Sequence, residues 1–260
     1  MIIRILENDR LAYYSTETNP IFWDAHWKKY FSPDIYKKAE RGSFVWFEKP
    51  FTDYLSREGR ILEAGCGLGV YVLALLVRGY DAEGIESGAE TVKMVRELYP
   101  DLPIRAGDVT CMEVPEKYYS GYISLGVMEH CKKGPEPFLK EAYRVLKNDG
   151  VAIISVPYFH PLRRLKARLG FYRGQSNGLE FYQYAFTKME FIALLQKHGF
   201  KVVDEMIYDG FKGVKDEIRL LGKIIQWPAI GWRLKQWVQS CKWIEHTLGH
   251  MMLFVCRKVQ

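Results

Sequence analysis

The spacing of apolar positions changes twice along this chain. In the first fifty residues they are aromatic and clustered: Phe22, Trp23, Trp27, Tyr30, Phe31 and Tyr36, then Phe44, Trp46 and Phe47. That pattern predicts two or three short helices capping a larger body. Gly42 separates the groups, and Pro50 begins or bends a helix that ends near Gly59. From residue 60 short apolar runs alternate with helical periods. Strands are predicted at Arg60–Ala64, Ala82–Ile85, Pro103–Ala106, Tyr122–Val127 and Val151–Val156, the last apolar except for Ser155 and so covered on both faces. Helices are predicted between them at Val70–Val77, Ala89–Leu98 and about Pro137–Leu146. Strands alternating with helices imply βαβ units and a largely parallel sheet.

After Pro157 the pattern breaks again. A basic, aromatic stretch reaches Tyr184, and Thr187-Lys188-Met189-Glu190 is a capping box opening a helix that Gly199 stops. Phe200–Ile207 and Met251–Cys256 complete the strands. The segment from Asp209 to Gly249 between them is long for a strand connection. The chain therefore reads as one α/β domain over residues 1–260, with a helical cap at 1–50, a lid at 157–185 and an insertion at 209–249.

Composition narrows the class. The 260 residues are 48% hydrophobic and 26% charged, an ordinary globular balance with room for a large core. A formal charge of +6 mildly favours anionic substrates or surfaces. The five cysteines are scattered, without a CxxC pair, which fits a reducing cytoplasm rather than a disulfide framework or zinc knuckle. Residues 1–10, with Glu7 and Asp9, read as neither signal nor transit peptide, and no apolar run is long enough to span a bilayer.

The chemistry concentrates in Glu63-Ala64-Gly65-Cys66-Gly67-Leu68-Gly69-Val70. An acid ends a strand, three glycines alternate and a helix begins. Glycines let the backbone turn sharply and approach a ligand closely, and the helix N-terminus offers amide hydrogens to an anion. Glu63 can reach an ammonium group. Glu86, followed by Ser87, ends the second strand, where a carboxylate can accept both hydroxyls of a ribose. Asp108, beside Val109, follows the third strand, where it can accept from an adenine amino group. Leu125-Gly126 gives bare backbone at the carboxyl edge of the fourth, where open α/β sheets bind ligands.

On these residues, with Gly126-Val127-Met128-Glu129-His130 and Leu146-Lys147-Asn148-Asp149-Gly150, the stretch from Glu63 to Val156 resembles class I S-adenosylmethionine-dependent methyltransferases. It is most similar to the type 11 group, the ubiquinone- and menaquinone-biosynthesis-like small-molecule enzymes. The resemblance covers roughly residues 50–207 and the last strand. It implies a Rossmann-like, doubly wound, seven-stranded sheet, mostly parallel, with the last strand antiparallel at its edge. It implies S-adenosylmethionine as cofactor and S-adenosylhomocysteine as product, held by Glu63, Gly65, Cys66, Gly67, Gly69, Glu86, Ser87, Asp108, Val109, Leu125 and Gly126. Two other classes stay open. A dinucleotide oxidoreductase needs G-x-G-x-x-G, but the third glycine position is Val70 counted from Gly65 and Val72 counted from Gly67. A non-catalytic binder on the same fold would keep the cofactor residues.

The acceptor is less legible. Base-modifying relatives resemble one another in an Asn/Asp-Pro-Pro-Tyr-like motif after strand four. Here that site reads Ser124-Leu125-Gly126-Val127, so no nucleic-acid partner is expected. Nor can Ser124 and Gly126 supply the aspartates of catechol-type enzymes, so no metal is expected. The partner is then a small-molecule methyl acceptor. His130 is the candidate catalytic base, the plainer alternative being local packing. Tyr158, His160 and Tyr184 are candidates for the substrate side. The bases of the lid (Arg163, Arg164, Lys166, Arg168, Arg173) and the tryptophans Trp227, Trp232, Trp237 and Trp243 fit three roles: a weak membrane-surface contact, a cap over the sheet, or a homodimer contact.

Overall fold

A computed structural model describes residues 2–16, 20–217, 236 and 241–259. Trp227, Trp232 and Trp237, with the bases among them, lie outside the described residues. The chain opens with a hairpin, β1 (Ile3–Glu7) and β2 (Arg10–Ser15), then runs through α1 (Pro20–Tyr30), three 3-10 turns and α2 (Glu48–Tyr54). The alternating part follows as β3 (Ile61–Ala64), α3 (Val70–Val77), β4 (Ala82–Glu86), α4 (Ala89–Leu98), β5 (Ile104–Ala106), β6 (Tyr119–Leu125), α5 (Glu136–Val145) and β7 (Leu146–Pro157). After it come α6 (Pro161–Arg168), β8 (Glu180–Ala185), α7 (Lys188–Lys197), β9 (Phe200–Tyr208), α8 (Gly210–Glu217), α9 (Lys242–Leu248) and β10 (Met251–Lys258).

Seven of these strands form one sheet in the order β5-β4-β3-β6-β7-β10-β9. The pairs β3–β4, β4–β5, β3–β6 and β6–β7 are parallel. This is the Rossmann-like doubly wound class. The antiparallel edge is made by two strands together. β10 pairs antiparallel with β7 on one side and with β9 on the other, so the last strand lies next to the edge and β9 is outermost.

The period-two pattern sorts neighbours onto opposite faces. Leu62, Tyr122, Ile154 and Phe254 join one core with α5 and α7, where Phe191 stacks on Phe254 at 5.5 Å. Ile61, Ile123, Ile153 and Leu253 join a second core with α2 and α3. Each such side chain removed from water contributes about 1.5–3 kcal/mol, so one-residue slips are strongly disfavoured. Strand order reverses between β3 and β6, which opens a crevice at their carboxyl ends.

The N-terminal region corrects the expectation of an all-helical cap at 1–50. Asn8 and Asp9 both take positive φ (48° and 64°), the two-residue primed turn that matches strand twist. β2 then pairs with β8 of the lid to give a second, antiparallel sheet, β1-β2-β8. The partner strand lies far along the chain, so the local aromatic pattern could not announce it.

A buried ion cluster ties this small sheet to the rest. The fully buried Glu217 carboxylate, at the end of α8, accepts from Arg163 Nε at 2.9 Å, Lys166 Nζ at 2.6 Å and Arg4 Nη1 at 2.5 Å. Burial pushes its carboxyl up, but the bonds from Lys166 and Arg163 and the charge of Arg4 outweigh that and hold it down at about 2. Among the described residues no helix is long and apolar enough to cross a membrane.

Candidate functional site

The crevice between β3 and β6 deepens into a cavity of about 1130 Å³, sized for a nucleoside-like ligand together with a second molecule. Its floor is the bend after β3. The N–H groups of Gly65 and Cys66 both donate to Ile85 O, at 2.8 and 3.0 Å, and Gly69 N–H donates to Cys66 O at 2.8 Å. Gly65 and Gly67 take φ of +77° and +51°. A Cβ would lie 2.5 Å from Val127 at Gly65 and 2.5 Å from the Trp27 ring at Gly67. Only glycine meets both conditions there. The N-cap residue Gly69 has no side chain to cap α3, and the Val72 amide of its first turn faces the Glu63 carboxylate.

Two acids flank this floor. Glu86 is buried and oriented by three donors: Gly67 N–H at 2.8 Å on Oε2, with Ser87 Oγ and Gly88 N–H, each at 3.0 Å, on Oε1. Glu63 is buried, and its Oε2 has no partner. Burial, with the charge of Glu86 adding to it, pushes the Glu63 carboxyl up to about 8. A buried carboxyl with one unpartnered oxygen on a cavity wall is chemically suited to an ammonium group. Asp108 stands exposed at the next strand end, its Oδ1 held by Thr110 N–H at 2.8 Å and Thr110 Oγ at 2.7 Å.

The cavity brings together Glu63, Gly65, Cys66, Glu86, Ser87, Asp108, Val109, Leu125, Gly126 and His130. Gly67 bonds Glu86 from the rim, whereas Gly69 starts α3, where a Cβ would meet Leu102 and Ile104. Tyr158, His160 and Tyr184 are not brought to it. Tyr158 bridges to Phe186 and packs on the sheet core. His160 is buried as the N-cap of α6, with Nδ1 accepting from Arg163 N–H at 3.3 Å. Tyr184 donates to Lys132 O at 3.2 Å. β7 runs on to Pro157, and the residues that follow it directly turn into α6 and the ion cluster rather than into the cavity.

The opposite wall comes from distant segments. Asp24 Oδ1 accepts from Thr91 N–H at 2.8 Å and Thr91 Oγ at 2.7 Å, which clamps α1 across the start of α4. Trp23, His26, Trp27 and Tyr30, spaced i, i+3, i+4, i+7, thereby face the cavity as one helical stripe. β8 contributes Tyr182 and α8 contributes Lys212. The helical spacing of the α1 stripe is present in the sequence and could have added His26 to it. Tyr182 and Lys212 carry no local signal.

His130 sits where the two walls meet, in a 3-10 turn at Met128–His130. Its Nδ1–H donates to Tyr182 O at 2.8 Å, and Trp23 packs edge-on at 4.6 Å. That bond assigns the tautomer and leaves Nε2 as a lone pair. Burial holds the imidazole down at about 4, so it is neutral near pH 7. Nε2 is 3.9 Å from Oε1 of the buried Glu129, whose carboxyl burial pushes up to about 8.

Comparison with known proteins agrees with this geometry. A family model described as a methyltransferase domain matches residues 62–154. A probable S-adenosylmethionine-dependent methyltransferase of Mycolicibacterium smegmatis is 28% identical over 168 residues, 64% of this chain and 62% of that protein. The chloroplastic 2-methyl-6-phytyl-1,4-hydroquinone methyltransferase 2 of Oryza sativa subsp. japonica is 31% identical over 114 residues, 42% of this chain and 32% of that protein. The chain thus spans less than two thirds of the length of these curated relatives. Among solved structures, a methyltransferase of Haloferax volcanii in complex with the Trm112 methyltransferase activator shares the fold. It has a TM-score of 0.60 at 15% identity, covering 95% of this chain and 98% of that one. Residues 62–154 thus match a methyltransferase domain, set in a fold that the chain shares with solved methyltransferases.

Proposed function

We propose that the protein transfers a methyl group from S-adenosylmethionine to an oxygen, nitrogen or carbon nucleophile of a small, ring-bearing or lipid-like molecule. The observation that carries this reading is one cavity lined by the glycine bend with Glu63, Glu86 and Asp108 on one side, and by an aromatic wall with His130 on the other. When bound, the cofactor supplies an activated methyl on a sulfonium. The protein's part is to position both molecules and exclude water.

Glu63 would hold the ammonium of the amino-acid portion, Glu86 the ribose hydroxyls and Asp108 the adenine amino group. Leu125 and Gly126 leave the floor bare beneath the reacting centre. The neutral Nε2 of His130 can take the proton of a hydroxyl acceptor as it reacts. Trp23, Tyr30 and Tyr182 offer ring faces, and Lys212 offers a cation for an acceptor with an anionic group. A phytyl hydroquinone, the acceptor type in the name of the rice relative, has the ring that such a wall suits. Residues 157–185 and α8 serve in this reading as the acceptor-side border of a single domain. The free thiols of all five cysteines suit a reducing, cytoplasmic setting.

Titration calorimetry with S-adenosylmethionine and S-adenosylhomocysteine, followed by turnover on phenolic, sugar and lipid acceptors, tests the proposal. Absence of binding to both compounds would overturn it. Binding without turnover on any acceptor would favour a non-catalytic binder.

A further inference from the structure

α6 is an inverted helix. Ordinary surface helices bury their apolar stripe and wet their charges. Here Arg163 is 0% exposed and Ala167, one turn on, is buried with it, whereas Leu165 is 53% exposed. Leu169 and Phe171, just beyond the helix, are 66% and 69% exposed. The cause is the Glu217 cluster. Arg163 Nε and Lys166 Nζ both donate to that buried carboxylate, and Arg163 Nη1 donates to Tyr158 O at 2.8 Å. These bonds lock the rotation of α6 and turn Leu165 outward. Leu6, whose N–H donates to Tyr172 O at 3.0 Å, adds an exposed side chain beside the Phe171–Arg173 turn. α9 packs against α6 and carries Trp243, 70% exposed.

Around Leu165, Leu169 and Phe171 the charge of the segment itself has one sign. From Pro157 to Leu179 the sequence has no Asp or Glu. Of its five cations, Arg163 and Lys166 face Glu217, while Arg164, Arg168 and Arg173 are exposed among the leucines and Phe171.

We propose that this face of α6 and α9 docks the protein on an anionic lipid bilayer. Exposed Leu, Phe and Trp interleaved with arginine match acyl chains lying beneath anionic headgroups. A two-fold contact with a second copy would instead bring the same arginines together, which like-charge repulsion opposes. The face also communicates with the cavity through one short helix. α8 places Lys212 on the cavity wall and Glu217 on α6, about 8 Å along its axis. Docking would set the aromatic wall close to the membrane surface. It stands apart from the methyl-transfer reading, since a chain that bound no cofactor would still sediment with vesicles.

The test is co-sedimentation of the full chain with vesicles of phosphatidylcholine and phosphatidylglycerol, and with phosphatidylcholine alone, at low and high salt. The expected result is binding to the mixed vesicles, weakened about tenfold or more on neutral vesicles and at high salt. The paired change Leu169→Glu with Phe171→Glu should abolish it. Arg164→Gln with Arg168→Gln should weaken only the anionic component, by about tenfold. Melting followed by circular dichroism should be unchanged in both variants, because every altered side chain is exposed. No pelleting with mixed vesicles at low salt would overturn the proposal, as would pelleting that survives Leu169→Glu with Phe171→Glu. Light scattering that shows self-association lost in that same variant would assign the face to a second copy and likewise overturn it.

Discussion

The two walls of the cavity are built in opposite ways. The wall we assign to the cofactor comes from strand ends that follow one another in the chain: the bend after β3, Glu86 at the end of β4, Asp108 after β5 and Gly126 after β6. Its key acid is oriented by backbone, through Gly67 and Gly88. The wall we assign to the acceptor gathers α1, the Met128–His130 turn, β8 and α8, and its contacts are mostly aromatic edges and side-chain bonds. A wall made of backbone keeps its geometry when side chains change. A wall made of side chains from distant segments can change its specificity without disturbing the cofactor. The contrast predicts that damage to one wall should appear in cofactor affinity, and damage to the other in turnover.

The largest effect should come from Glu86→Ala. It removes an acceptor shared by two backbone N–H groups and, in our reading, by the ribose. Calorimetric affinity for S-adenosylhomocysteine should fall by about 100-fold or more. An unchanged affinity would mean that the cofactor wall is not organised around this carboxylate. His130→Gln should act on the other side. With an oxygen acceptor, kcat should drop by about 100-fold while calorimetric affinity for the cofactor stays within about twofold. Loss of both together would erase the separation of the walls.

Glu63 sharpens the comparison through pH. In the free protein its carboxyl is pushed up to about 8, so it carries a proton at pH 7. An ammonium partner favours the carboxylate, so binding should release that proton. Affinity should then rise by about tenfold per pH unit between about pH 6 and pH 7.5 and flatten above about pH 8. Calorimetry in buffers of different ionisation enthalpy reads the proton directly, and Glu63→Gln should remove the slope. The same raised carboxyl makes the free fold hold a proton that the unfolded chain has lost. Its contribution to stability therefore declines as pH rises from about 4.5 towards about 8. The smallest effect belongs to Lys212→Met. KM for acceptors with an anionic group should rise by about five- to tenfold, with neutral acceptors and cofactor affinity unaffected. Equal changes for neutral and anionic acceptors would remove Lys212 from the recognition of charge.

What the sequence determined by itself was whatever depends on neighbours along the chain. Alternation placed Ile61 and Leu62 on opposite faces of the sheet, and the capping box at Thr187 opened α7, with Thr187 Oγ accepting from Glu190 N–H. The run from Glu63 to Gly69 encodes its own bend, because positive φ and close approach are properties of glycine. Tertiary structure decided the rest. Asn8-Asp9 becomes a hairpin turn because β8, more than 150 residues away, completes the small sheet. His160 and Arg163 became buried members of an ion cluster because Glu217 lies beside them, though their sequence context reads as a wet lid. Tyr182 reached the cavity and Tyr184 did not, although the two look alike in sequence. Periodicity and turn chemistry act over a few residues, whereas burial and charge pairing depend on which distant segment arrives alongside.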